Sequence, residues 1–290
     1  MAEEQTSYTA SRLVGEAVVT VISDGILRTT PMIPWLGQPE AEARRAVPEA
    51  DAKGEMECGM NLVHVRVGEA SILLDPGWGE LSPTSWLVTD LGAERSPGVQ
   101  AGLSSLGIRA EDITHVLISH AHGDHYTGAV IEREGQHAPR YPRARYLLSR
   151  ADWDGNPERE TEGSELVTHL GALDQRGLLD LVEGDYEVVP GVTMIHSPGE
   201  SPGHSIMRVQ SAGASFFYLG DLFHHPCEIE RPNWILFERT DEARRASETS
   251  RARLLAEAAD LEAIAVFTHS PFPGWGRITR TATGYRWDYE

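Results

Sequence analysis

Thr114-His115-Val116-Leu117-Ile118-Ser119-His120-Ala121-His122-Gly123-Asp124-His125-Tyr126-Thr127-Gly128 sets four potential metal ligands within six residues at the end of an apolar run. His115 to Ser119 has the composition of a buried strand, so the ligands begin where that strand stops. His120 and His122 stand two apart. In an extended strand end their side chains leave the same face and can meet one ion. Gly123 permits a sharp turn, after which Asp124 and His125 can face a second ion. A lone histidine is usually a hydrogen-bonded core or surface residue, but that reading does not account for four donors at this spacing.

Working outward, further short runs rich in β-branched residues read as strands: Val18 to Ile22, Leu62 to Val67, Ser71 to Leu74, Val192 to His196, Ser215 to Leu219 and Ala263 to Thr268. Helical stretches lie between them. The clearest is Asp241 to Leu261, with Thr240 or Asp241 as its cap and Leu254, Leu255, Ala258 and Leu261 on one face. The polar segment from Leu36 to Met56 reads as a surface loop or a short helix folded over something else. Strands alternating with helices, with chemistry at strand ends, predict sheets in the middle and helices outside.

The chain of 290 residues is long enough for a full-sized core, and 40% hydrophobic with 24% charged residues suits a soluble globular protein. Its 25 basic against 44 acidic residues give a formal charge of -19, which repels phosphate backbones and anionic membranes, so neither nucleic acid nor a membrane is expected as a partner. The two cysteines, Cys58 and Cys227, lie far apart and exclude a disulfide framework. Cys227 has no second sulfur beside it and is not counted as a ligand. With an acidic N-terminus and no long apolar run, a cytoplasmic location is expected.

Three later segments supply candidates to complete a site. Asp221 follows Ser215-Phe216-Phe217-Tyr218-Leu219-Gly220, which places a carboxylate at a strand end where it can bridge two cations. His269 closes Ile264-Ala265-Val266-Phe267-Thr268 in the same way. The double turn His196-Ser197-Pro198-Gly199-Glu200-Ser201-Pro202-Gly203-His204 offers Glu200 and His204 as competing ligands. Trp35, Trp78, Trp153, Trp234 and Trp275 are candidates to line an apolar substrate channel.

Taken together, His120-x-His122-x-Asp124-His125, the Leu73-Leu74-Asp75-Pro76-Gly77 turn, the double Pro-Gly turn, Gly220-Asp221 and His269 resemble the metallo-β-lactamase superfamily, from about Asn61 to Ser270. Glu183 to Val192 and the double turn after it are similar to the acyl-homoserine lactonases, and the layout also resembles the methyl parathion hydrolase group. The resemblance implies an α/β (α+β) fold, a four-layer αββα sandwich. It implies one domain over residues 1–290, with 1–60 as an N-terminal strand and loop extension and 61–290 as the core.

It further implies two divalent metal ions, zinc first, with manganese, iron or cobalt as alternatives. Carried over, His120 and His122 bind one metal, Asp124, His125 and His269 the other, and Asp221 both. Where the resembling groups have the third histidine of the first metal, this chain has Glu200. Either Glu200 serves as an oxygen ligand, which its position favours, or the loop shifts and His204 binds instead. Asp75 resembles the family's structural aspartate, an orienting group behind the ligands. His224 stands where the lactonases carry a substrate-contacting tyrosine, so an inward imidazole there is a candidate oxyanion donor.

Two such ions would share a water and lower its pKa towards neutrality, while Asp124 or Asp221 takes or relays the proton. The expected function is hydrolysis of a small-molecule lactone or carboxylic ester. Phosphotriester or phosphodiester hydrolysis on the same scaffold, or metal-dependent binding of a small ligand without catalysis, are the alternatives. A homodimer is expected from the resemblance alone.

Overall fold

A computed structural model of the protein describes residues 8–94, 97–133, 135–237 and 239–290. The strands, in chain order, are β1 (Thr9–Val14), β2 (Ala17–Thr30), β3 (Met56–Val67), β4 (Ala70–Leu74), β5 (Ala93–Glu94), β6 (His115–Leu117), β7 (Val130–Arg133), β8 (Gln136–Pro139) and β9 (Arg145–Ser149). They continue with β10 (Leu179–Val182), β11 (Tyr186–Val189), β12 (Val192–His196), β13 (Ser205–Ser211), β14 (Ala214–Tyr218), β15 (Ile264–Val266), β16 (Gly276–Arg280) and β17 (Tyr285–Tyr289). One sheet runs β1-β2-β3-β4-β6-β9-β10 with β5 on the flank of β2, a second runs from β11 to β17 in chain order, and β7 and β8 form a separate hairpin.

Side-chain alternation decides what each sheet faces. Val19, Val21, Val63, Val65, Ile72 and Leu117 of the first sheet meet Met194, Met207, Val209, Phe216, Tyr218 and Val266 of the second in a shared core. The intervening residues point outward. Ile22, Leu62, Leu73, Val116 and Leu148 pack under Val99, Leu103, Leu166, Leu170 and Leu173 from the flanking helices. Ile195, Ile206, Phe217, Leu219 and Phe267 pack under Leu254, Leu255 and Ala258 of the helix Asp241–Asp260. The expected αββα sandwich follows from these three cores. Burial of each of those leucines contributes on the order of 2 kcal/mol. Leu261 departs from the expected apolar face: it caps the helix and is 39% exposed.

The β2 strand extends well beyond Val18 to Ile22. Its register with β3 shifts between Ser23 and Gly25, and the strand then continues past this bulge to Thr30, so glycine here bends a strand without ending it. The stretch between Leu36 and Met56 contains the helix Glu40–Ala46, which buries Ala43 and Val47 in the outer core of the first sheet. No helix among the described residues is long and apolar enough to cross a membrane.

One buried group gives the fold an acid sensitivity. His64 on β3 is 2% exposed, its Nε2 lies 2.8 Å from Ser71 Oγ on β4, and burial, helped by the charge of Arg66, lowers its pKa to about 4. The folded chain therefore keeps His64 neutral while the unfolded chain takes up a proton below its ordinary value of 6.5. Stability is lost as pH falls from 6.5 towards 4, by up to about 3 kcal/mol from this residue. Urea denaturation of metal-free protein at pH 7.5 and 4.5 is expected to show a smaller acid loss in His64→Gln than in the parent. Equal losses would remove His64 from the account.

Candidate metal centre

The carboxyl ends of β6, β14 and β15 and the turn after β12 converge at one edge where the two sheets meet. β6 ends at Leu117 and the chain bends from Ser119 to His122, departing from the expected extended strand end, yet His120 Nε2 and His122 Nδ1 still come within 2.8 Å of each other. A single helical turn, Gly123–Tyr126, then presents Asp124 and His125. Gly128 closes the motif for a steric reason: a Cβ there would lie 1.9 Å from the Pro76 carbonyl oxygen. Gly220, with φ of +52°, swings the chain from β14 into Asp221.

The donor atoms form two adjoining groups. Asp124, His125, Asp221 and His269 make one, and His120, His122 and Glu200 the other. Asp221 Oδ2 lies 3.3 Å from His125 Nε2, 3.2 Å from His269 Nε2 and 3.9 Å from His120 Nε2, which puts it between the groups. Glu200 Oε1 lies 3.6 Å from His122 Nδ1. His224 Nε2 lies 3.5 Å from Asp221 Oδ2, and Glu200, Asp221 and His224 form a third cluster of donors.

Behind the ligands, hydrogen bonds fix which ring nitrogen faces inward. Asp75, fully buried with φ of +56°, accepts from the Ser119 amide at 2.6 Å and hydroxyl at 2.7 Å, the Tyr218 hydroxyl at 2.9 Å and His125 Nδ1 at 2.8 Å. The Gly59 carbonyl lies 3.2 Å from His269 Nδ1. Each contact points the Nε2 of its histidine towards the donors, an arrangement that orients metal-ligating imidazoles.

His204 has the opposite setting. Its Nδ1 sits 3.1 Å from the Ser197 carbonyl, and its Nε2 accepts the Asp221 amide at 3.2 Å. Burial lowers its pKa despite the nearby carboxylates, in keeping with a neutral ring. Both nitrogens are committed, which leaves no lone pair for an ion, so of the two competing candidates Glu200 is the one that faces the donors.

Electrostatics explains what the cluster asks for. Burial works to lower the pKa of His125, yet Asp221, Asp124 and Asp75 raise it well above 6.5. Burial depresses His120 far below that value, reinforced by His125 and His122. For Glu200, burial pushes upward, but His224, Arg239 and His122 hold the carboxyl below its ordinary value. Several carboxylates thus share a nearly dry space, while buried His125 Nε2 and Asp221 Oδ1 have no hydrogen-bond partner among the described residues. Inward-facing nitrogen and carboxylate donors with unsatisfied buried atoms fit divalent cations, zinc among them.

The donors open into a cavity of about 540 Å³, within the range of small-molecule sites. Leu27, Met32, Trp35, Trp78, Trp86 and Phe237 line its apolar side. Trp35 and Trp78 stand where an apolar channel needs them. Trp153 and Trp234 instead belong to the outer core of the first sheet, and Trp275 to the core between the sheets. Trp86, 59% exposed, takes a place at the cavity that its sequence context gave no sign of. A separate cavity of about 370 Å³ between β12 and the helix Asp241–Asp260 contains none of the clustered donors.

Sequence reasoning also missed three residues behind the site. Arg239 pairs with Glu200, and Glu228 with Arg251, in contacts spanning 39 and 23 residues of chain. His225 turns away from the donors to meet Glu49 Oε1 at 2.7 Å.

The family model for the metallo-β-lactamase superfamily matches residues 58–269. The chain belongs to that superfamily. Among curated relatives within it, an N-acyl homoserine lactonase of Bacillus cereus is 31% identical over 109 residues, a stretch covering 38% of this chain and 38% of the relative's length. A superfamily fold is also shared with AidC, described as a dizinc quorum-quenching lactonase, at 24% identity and a TM-score of 0.76 over 97% of both chains. The hydrolase AbOPH of the β-lactamase superfamily matches over 99% of both chains at 19% identity and a TM-score of 0.80.

Proposed function

We propose that this chain is a dinuclear metal-dependent hydrolase acting on small-molecule lactones or carboxylic esters, with residues 1–290 as one metallo-β-lactamase-like domain. The observation that carries the reading is Asp221 between two donor groups at the floor of a largely apolar cavity. On this reading, His120, His122 and Glu200 would hold one ion and Asp124, His125 and His269 the other, with Asp221 serving both. When bound, such a pair of ions acidifies water and polarises a carbonyl oxygen.

The chain's own residues do the rest. Asp124 is 16% exposed at the cavity floor, where it can accept and pass on a proton, whereas Asp221 is 5% exposed among imidazoles. His224 faces Glu228 across 3.6 Å on its Nδ1 side and turns Nε2 inward towards Asp221, where an N–H can donate to a carbonyl oxygen gaining charge. The apolar wall excludes water around the acyl portion of the substrate. Glu80, Glu158 and Glu165 at the same cavity disfavour anionic substrates, which argues for neutral lactones and esters over phosphodiesters. The lactonase relatives support the same substrate class.

Chelator treatment is expected to lower lactone and ester turnover at least ~100-fold, and added zinc, manganese or cobalt to restore it. A parallel panel of neutral phosphotriesters separates the rival chemistry. Absence of lactone and ester turnover with every metal would sink the proposal.

A further inference from the structure

Position 200 poses a chemical problem. A histidine ligand is neutral and offers one nitrogen in a fixed direction, but a glutamate carries a negative charge, two equivalent oxygens and one more side-chain torsion. Placed beside Asp221, it adds charge repulsion and freedom that an imidazole does not bring. Glu200 is 6% exposed, so water does not screen that charge.

Arg239 answers each difficulty. Its Nη2 donates to Glu200 Oε2, and its Nη1 donates to the Glu200 backbone carbonyl at 2.9 Å, so a planar fork ties the side chain to its own backbone. One carboxylate oxygen is thereby occupied, and the other, Oε1, is the atom that faces His122. The arginine side chain is 13% exposed and its guanidinium lies over the Phe237 ring at 5.7 Å, and Phe237 packs on Trp35 with ring centroids 4.6 Å apart. The arginine is thus itself held in place.

We propose that Arg239 is a positioning residue for the first metal site, and that Glu200 and Arg239 act as one unit equivalent to the single neutral histidine of the resembling hydrolases. One negative and one positive charge sum to the neutrality of imidazole, and occupation of Oε2 turns a two-oxygen group into a single directed donor. The inference rests on the reading of Glu200 as a metal ligand.

The test compares the parent with Glu200→Ala, Arg239→Met, Arg239→Lys, Glu200→His and the double variant Glu200→His with Arg239→Met. Zinc content and affinity are measured by chelator competition, and the absorption bands of the cobalt-loaded proteins report ligand geometry. Thermal melts of the metal-free variants check folding. Arg239→Met is expected to weaken one of two zinc ions about 10- to 100-fold and to shift the cobalt bands, leaving the other ion unchanged. Arg239→Lys, which keeps the charge without the fork, recovers part of the affinity. Glu200→His alone leaves a buried guanidinium without its carboxylate and also binds weakly, whereas the double variant returns close to parental affinity, a non-additivity expected only of a coupled pair.

Parental affinity and spectrum in Arg239→Met, or a double variant no better than Glu200→His, would overturn the pairing while leaving the dinuclear reading intact. Fewer than two zinc ions in the parent, or two tightly bound in Glu200→Ala, would remove Glu200 as a ligand and the inference with it.

Discussion

Asp221→Ala is expected to lose both bound metals and to lower kcat/KM for a lactone or ester at least ~1,000-fold, about 4 kcal/mol of transition-state stabilisation. The effect is large because Asp221 stands within reach of both donor groups, 3.2 to 3.9 Å from His269, His125 and His120. Removal of Asp124 or His269 is expected to empty one site, but removal of Asp221 uncouples both. Asp221→Asn keeps one oxygen without the charge and is expected to fall between parent and alanine variant. Metal analysis and steady-state kinetics on the same preparations check this. Two metals and near-parental activity in Asp221→Ala would end its role as the bridging group.

The largest expected effect on stability comes from a pair that never touches a metal. Arg251 Nη2 lies 2.7 Å from Glu228 Oε1, with side chains 3% and 0% exposed, and Arg251 Nε donates to the Leu222 carbonyl at 2.9 Å. The second oxygen of Glu228 accepts the His224 amide at 2.6 Å and the His225 amide at 3.2 Å. Burial alone would raise the Glu228 carboxyl, but Arg251 and His224 hold it at about 2. Arg251→Met removes the arginine paired with that carboxylate in a dry interior, and the expected cost is about 3–5 kcal/mol in urea denaturation. Glu228→Leu combined with Arg251→Met removes both charges and is expected to cost less than either single change. Asp260→Asn, which breaks the exposed pair with Arg280, supplies the contrast at under about 1 kcal/mol. An Arg251→Met variant as stable as the parent would show that the buried pair contributes nothing.

The parts legible in the sequence are those encoded locally. His120, His122, Asp124 and His125 declare themselves because a bend at a strand end and the helical turn that follows bring neighbours in sequence to one point. Strands such as Ser215 to Leu219 are legible because both of their faces are buried, which demands an unbroken apolar run. The helix after Thr240 is marked by its cap, whose hydroxyl accepts the Ala243 amide at 3.2 Å. Arg251, by contrast, sits in a helix rich in charged residues, where nothing local separates a buried guanidinium from a solvated one. Arg239 meets Glu200 across 39 residues of chain, a contact no local pattern announces. The tryptophans fail for a related reason: a large aromatic suits core and cavity equally, and only the tertiary arrangement decides between them.

The donors and the cavity wall come from different parts of the chain. The donors follow β6, β12, β14 and β15, whereas the wall is built from the end of β2, the segment around Trp78 to Leu91 and the residues Leu236, Phe237 and Arg239. Under the proposed hydrolase reading, a substitution at Leu27, Trp86 or Leu91 is therefore expected to reshape what the cavity accepts and to leave the donors in place. Selection can retune diet and chemistry independently, and a laboratory library confined to the wall inherits an intact reaction centre. Arg239 is the exception, since it lines the cavity and grips Glu200 at once, so a change there alters both in a single step.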